Sequence, residues 1–156
     1  MVITATADDI TTFSRAKCLT TSADNSVEWG RESRERSAEW YRPCEEKVIG
    51  FLQLSANWDS YGAFPIREES VERALTVLYD LSLVKGIRRP RVVPTVSGNV
   101  GLSWEWDDCN QELDVEVDAS RGVRYSYYNE NDPDKNLEEI TTYDLMDIAQ
   151  ILTDKW

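Results

Sequence analysis

Between Arg91 and Tyr128 the apolar residues fall at every second position, and no other feature of this chain restricts its fold so tightly. Val100, Leu102, Trp104 and Trp106 alternate with Asn99, Gly101, Ser103 and Glu105. Leu113, Val115 and Val117 alternate with Glu112, Asp114, Glu116 and Asp118, and Val123, Tyr125 and Tyr127 alternate with Arg124, Ser126 and Tyr128. Side chains on a strand point to opposite faces in turn, so each run predicts a strand with one apolar and one polar face. Arg91-Val92-Val93 adds a shorter strand that meets Pro94. The connections Ser97-Gly98, Asp107-Asp108-Cys109-Asn110 and Ser120-Arg121-Gly122 have turn compositions. Such short links permit only antiparallel neighbours, because parallel pairing needs a long crossover. The expectation is an α+β fold: a three- to four-stranded antiparallel meander with helices packed on its apolar face.

Helical spacing supplies that cover. Val71, Ala74, Leu75, Leu78 and Leu81 form a stripe that predicts a helix over 66–84, with Glu68 and Glu69 suiting its N-terminal end and Gly86 a stop. Val48, Ile49 and Leu52 predict an earlier helix from Cys44 to about Ser55, with Pro43 ending or restarting any helix before it. Leu145, Ile148, Ala149 and Leu152 predict a last helix capped by Thr141 or Thr142. Residues 129–139 read as a polar, acidic loop. Residues 1–28, rich in Thr, Ser, Ala and Asp, read as a weakly ordered arm before one α+β domain over 29–156.

Composition narrows the chemistry. The chain of 156 residues contains no histidine. That absence removes Ser-His-Asp and Cys-His nucleophiles and the HExxH metal site. Cys18, Cys44 and Cys109 are widely spaced and form no CxxC pair, which predicts reduced thiols, no structural zinc and a cytoplasmic setting. No stretch approaches the ~18 apolar residues of a bilayer span, and the first residues lack the pattern of a signal peptide. The net charge of −12 is concentrated in the last third, where residues 104–156 carry 15 acids against four Lys or Arg. Such a surface repels nucleic acid, whose binding depends on cationic contacts. It attracts a basic protein.

The stretch Asn57-Trp58-Asp59-Ser60-Tyr61-Gly62-Ala63-Phe64-Pro65-Ile66 sits between two helical segments. Asn57 and Asp59 can bond nearby amides, Gly62 permits a left-handed backbone, and Pro65 suits the start of a helix. Trp58 and Tyr61 are expected to cover one end of the sheet. With Pro94-Thr95 and Gly101-Leu102-Ser103-Trp104-Glu105, the stretch resembles a family of small bacterial and phage proteins sharing an NWDGYGAxPI … PTxxGxxxLxWE pattern. The resemblance spans about Leu52 to Leu152 and implies the fold; Ser60 stands where the pattern usually has glycine. It implies no activity. The stretch is read as a structural clasp, the alternative being a small-molecule or enzymatic pocket near Trp58, Asp59 and Tyr61.

The partner-binding candidates are acidic. Glu105, Glu112, Asp114, Glu116 and Asp118 are expected along one sheet face, with Asp132 and Asp134 in the following loop and Trp40 and Tyr41 as an apolar anchor. Alternate strand residues lie ~6.6–6.8 Å apart, close to the spacing of a polyanion. Asp132-Pro133-Asp134-Lys135 lacks the glycine and final glutamate of an EF-hand, and its lysine opposes a cation, so no metal or other cofactor is expected. Arg88, Arg89 and Arg91 read as a solvated strand start. The functional expectation is a non-enzymatic inhibitor or antagonist, of phage anti-defence, anti-CRISPR or antitoxin type, that binds a basic and nucleic-acid-binding protein. Self-association across an edge strand, giving a homodimer, is the remaining option.

Overall fold

The structure is a computed structural model that describes residues 29–154, residue 121 excepted. The expected arm over 1–28 lies outside the described residues. Alternation from Arg91 onward is realised as β1 (Arg91–Pro94), β2 (Val100–Trp106), β3 (Gln111–Val117) and β4 (Val123–Asn129). A fifth strand, β5 (Leu137–Thr142), joins them. The sheet runs β1-β2-β3-β4-β5 with every neighbouring pair antiparallel, so the chain is a five-stranded meander and the fold is α+β.

β5 corrects the expectation of three to four strands: it takes up the end of what reads as a loop, from Leu137 to Glu139, and the expected cap residues Thr141 and Thr142. The reason is a bulge. Leu137 pairs with Tyr127 and Ile140 with Tyr125, so three residues on β5 span what two span on β4. The extra residue puts the two apolar side chains out of phase with a period of two, and the alternation that reveals a strand disappears.

Three helices supply the cover: α1 (Trp29–Gly50), α2 (Glu68–Ser82) and α3 (Leu145–Thr153). Val48 from α1, Val71, Ala74, Leu78 and Leu81 from α2, and Ile148 and Ala149 from α3 join one buried cluster. The sheet contributes Val92, Val100, Leu102, Trp104, Leu113, Val115, Val117, Val123, Tyr125 and Tyr127 to the same cluster. In β2, β3 and β4 these are the alternate residues of one face, so the core lies on that face. α2 falls inside its expected range. α1 continues through Pro43 instead of stopping there, with Cys44 and Val48 just beyond it fully packed in the core. Tertiary burial there outweighs the proline's lost hydrogen bond and ring clash, about 3 kcal/mol in a helix interior. The cap of α3 is Asp144, whose carboxylate accepts from the Met146 amide at 2.9 Å. Thr142 is a buried strand residue instead.

The stretch from Asn57 to Arg67 fastens α2 to the β1–β2 hairpin. Asp59 accepts from the amides of Tyr61 (2.8 Å) and Ala63 (3.0 Å), and Asn57 Oδ1 accepts from Gly62 N (2.7 Å). The folded loop then reaches across: Phe64 N donates to Val96 O and Arg67 N to Gly98 O, both at 3.0 Å. Arg67 Nη2 donates to Ser97 O at 2.9 Å. A side chain on Gly98 would place its Cβ 2.7 Å from Pro65 O. Tyr61 departs from expectation. It is 94% exposed and covers nothing, while half-buried Trp58 donates from Nε1 to Phe64 O at 3.1 Å.

Cys44 is a free, buried thiol, as expected. Cys109 is disulfide-bonded, which corrects the expectation of reduced thiols at that position. None of the described helices is long and apolar enough to cross a membrane.

Candidate functional site

With the three helices on one face, the other face of the sheet carries the polar alternates. Register arranges them in cross-strand rows. Val93, Gly101, Glu116, Arg124 and Thr141 form one row. Arg91, Ser103, Asp114 and Ser126 form the next, and Glu105, Glu112 and Tyr128 the third.

The third row is electrostatically unfavourable. Glu105 and Glu112 are directly paired across β2 and β3, and Asp114 lies two residues along from Glu112. Burial raises the Glu112 carboxyl above its ordinary value, and the charges of Asp114 and Glu105 push it further in the same direction. Arg91 offsets part of this, sitting 3.7 Å from Glu105 in a well-exposed ion pair. Folding therefore holds like charges together on an open surface, a destabilising arrangement.

Glu116 behaves differently. Its Oε1 accepts from Asn99 Nδ2 and from Ser97 Oγ, each at 2.8 Å, and its Oε2 accepts from Arg124 Nη2 at 3.0 Å. Asn99 is buried, and its Oδ1 accepts from Ser70 Oγ of α2 at 3.2 Å. Burial alone would raise the Glu116 carboxyl, but the hydrogen bonds from Asn99 and Ser97 and the Arg124 charge together hold it below its ordinary value. Glu116 is thus a structural acid that ties β3 to the β1–β2 turn.

The remaining candidates are dispersed. Asp118 Oδ1 accepts from Ser120 N at 2.6 Å and shapes the β3–β4 turn. Asp132 pairs with Lys135 at 3.0 Å, and exposed Asp134 lies in the same short helical turn, away from the rows. Trp40 and Tyr41 are half-buried in α1, packed against the core, and Tyr41 stacks edge-on to Tyr79 at 5.7 Å. They do not join the acidic face. Glu105, Glu112 and Asp114 are the expected site residues that the fold brings together. In the expected pocket, Asp59 is committed to backbone amides, which also hold its carboxyl below the ordinary value despite a small opposing effect of burial.

Two features of this face were not read from the sequence. One is the polar relay Thr95, Ser97 and Asn99: Ser97 and Asn99 meet Glu116, and Thr95 Oγ1 backs them, bonding Ser97 Oγ at 2.8 Å and accepting from Asn99 N at 3.0 Å. Its signal is the alternation of small polar residues through Thr95-Val96-Ser97-Gly98-Asn99. The other is the lack of bulk at Gly101, Ser103 and Ser126, which leaves a hollow of about 320 Å³ beside Glu116 and Arg124.

No protein-family model, curated protein or solved structure matches the chain. Among the described residues the fold is a helix-backed meander with one open, acid-bearing face.

Proposed function

We propose that this chain is a non-enzymatic binding protein, an inhibitor or antagonist of the phage anti-defence, anti-CRISPR or antitoxin kind, whose open sheet face docks a basic, nucleic-acid-binding protein surface. The observation that carries this reading is the clustering of Glu105, Glu112 and Asp114 on a face that no described helix covers, where burial and then the charges of Asp114 and Glu105 raise the Glu112 carboxyl. A cationic partner relieves that repulsion on binding, so it gains attraction and the protein loses strain in one step. The bias of 15 acids to four Lys or Arg over residues 104–156 extends the field beyond the face itself. A cytoplasmic setting belongs to the same proposal. The Cys109 disulfide weighs against it, and alkylation of thiols at lysis decides it.

The test is the pair Glu112→Lys and Asp114→Lys, which avoids Glu116 because that acid holds the hairpin. Wild-type protein should retain a basic partner from host lysate at low salt and release it as salt rises, since exposed charges are screened beyond ~8–10 Å. The double variant should stay folded, with a thermal midpoint no lower than that of the wild type because the like-charge cluster is gone, and lose the partner. A folded variant that retains the same partner at low salt removes the acidic face from consideration.

A further inference from the structure

The hollow on the open face is more specific than a charged surface. Its centre is empty because β2 and β4 place Gly101, Ser103 and Ser126 where other strand positions carry large side chains. A Cβ at Gly101 would lie 2.9 Å from Val93 Cγ2, so any side chain there would displace the Val93 methyl and intrude on the hollow. Val93 offers an apolar wall, and Asp114, Glu116 and Glu139 face it with Arg124 as the opposing charge. Glu139 reaches the hollow from the bulge in β5, where it adopts φ 49, and its amide is held by Ser126 Oγ at 3.1 Å. Bulges commonly re-aim a side chain in this way.

We propose that this hollow is a pocket for a single arginine side chain projecting from the basic partner. The inference rests on the reading of the acidic face as a docking surface and names its anchor. Charge complementarity selects the occupant. The Glu116 carboxylate is already bound by Ser97, Asn99 and Arg124, so an incoming cation meets Glu139 and Asp114, the latter also hydrogen-bonded to Glu112. An alkyl stem packs on Val93, and the Ser103 and Ser126 hydroxyls offer further acceptors. Arginine fits better than lysine because a planar, weakly hydrated guanidinium bonds two carboxylates in fixed directions. The volume lies at the lower end of ligand clefts, which suits one side chain rather than a large molecule.

The experiment titrates the full chain, followed by amide NMR, with a short blocked peptide carrying one arginine among glycines. The lysine counterpart and polylysine serve as comparisons. The arginine peptide should shift the amides of Gly101, Ser103 and Ser126, and the lysine peptide should bind roughly tenfold more weakly, as for one lost charge-assisted hydrogen bond. Ser103→Leu, which fills the hollow and changes no charge, should abolish the peptide shifts and leave salt-dependent polylysine binding intact. Asp114→Asn, nearly isosteric, should weaken the arginine peptide if the leucine variant proves unstable. Equal binding of both peptides, or no change in Ser103→Leu, overturns the arginine pocket. Polylysine binding without any arginine-peptide shift at these amides also overturns it while the acidic face stands. If polylysine fails to bind at low salt, the docking reading falls as well.

Discussion

At the scale of single residues, the clasp shows how a local backbone requirement becomes visible in a sequence. Ser60 adopts φ 66 and Asn57 φ 63, both in the left-handed region. Asparagine tolerates that region well, whereas serine does so at a penalty. That angle favours glycine at position 60. Ser60→Gly should therefore stabilise the fold by roughly 0.5–1 kcal/mol, read as a higher denaturation midpoint; a lower one would mean the serine hydroxyl contributes more than its backbone loses. Glu112 gives a second residue-level prediction. Its carboxyl is raised in the folded state, so it opposes folding at neutral pH and ceases to do so as pH falls through the folded value. Glu112→Gln should stabilise at pH 7 by ~0.2–1 kcal/mol, the scale of a cross-strand pair, and the gain should vanish in acid. A gain that persists below pH ~4 would point to packing instead, because carboxylates are then protonated. Asp59 and Glu116 carry the opposite sign: both are depressed, and their contribution is present at neutral pH and lost on acidification.

At the scale of elements, regular periodicity was legible and its interruptions were not. β2, β3 and β4 follow from alternation, and α2 follows from its stripe, because in each a single period runs unbroken. β5 is hidden by an extra residue, and the length of α1 by a proline whose effect burial overrides. The acids of β3 were legible as a row. The separate role of Glu116 was not, because it depends on Asn99 and Ser97 arriving from another strand connection. The junction of clasp and hairpin can be tested as a unit. Gly98→Ala meets both a backbone oxygen and an unfavourable φ of +82 and should destabilise by about 1–3 kcal/mol. Asn99→Ala strips a buried relay and should reach a similar loss, about 1–3 kcal/mol. Chemical denaturation of both variants checks this, and an unchanged Asn99→Ala would mean that the relay adds nothing to the hold of β1–β2 on α2.

At the scale of the whole molecule, the charge asymmetry and the one-sided core coincide: the last third supplies both the acid excess and three of the five strands. The long-range field follows from counting residues. Which acids act together requires the register, and the register shows that Glu105, Glu112 and Asp114 stand free of the structural acid Glu116. The charge-reversal experiment belongs at this scale because its main expected effect is on the rate of encounter, which steering by the summed field controls. Because the core recruits only alternate residues of β2, β3 and β4, the intervening positions are largely relieved of packing duty. Gly101, Glu116, Arg124 and Ser126, whose hydroxyl accepts from the Glu139 amide, are the exceptions. Mutation can then rewrite the exterior lettering of these strands while the interior text stays intact. Glu105, Glu112, Asp114 and Ser103 could thus be exchanged in any lineage that keeps the same scaffold.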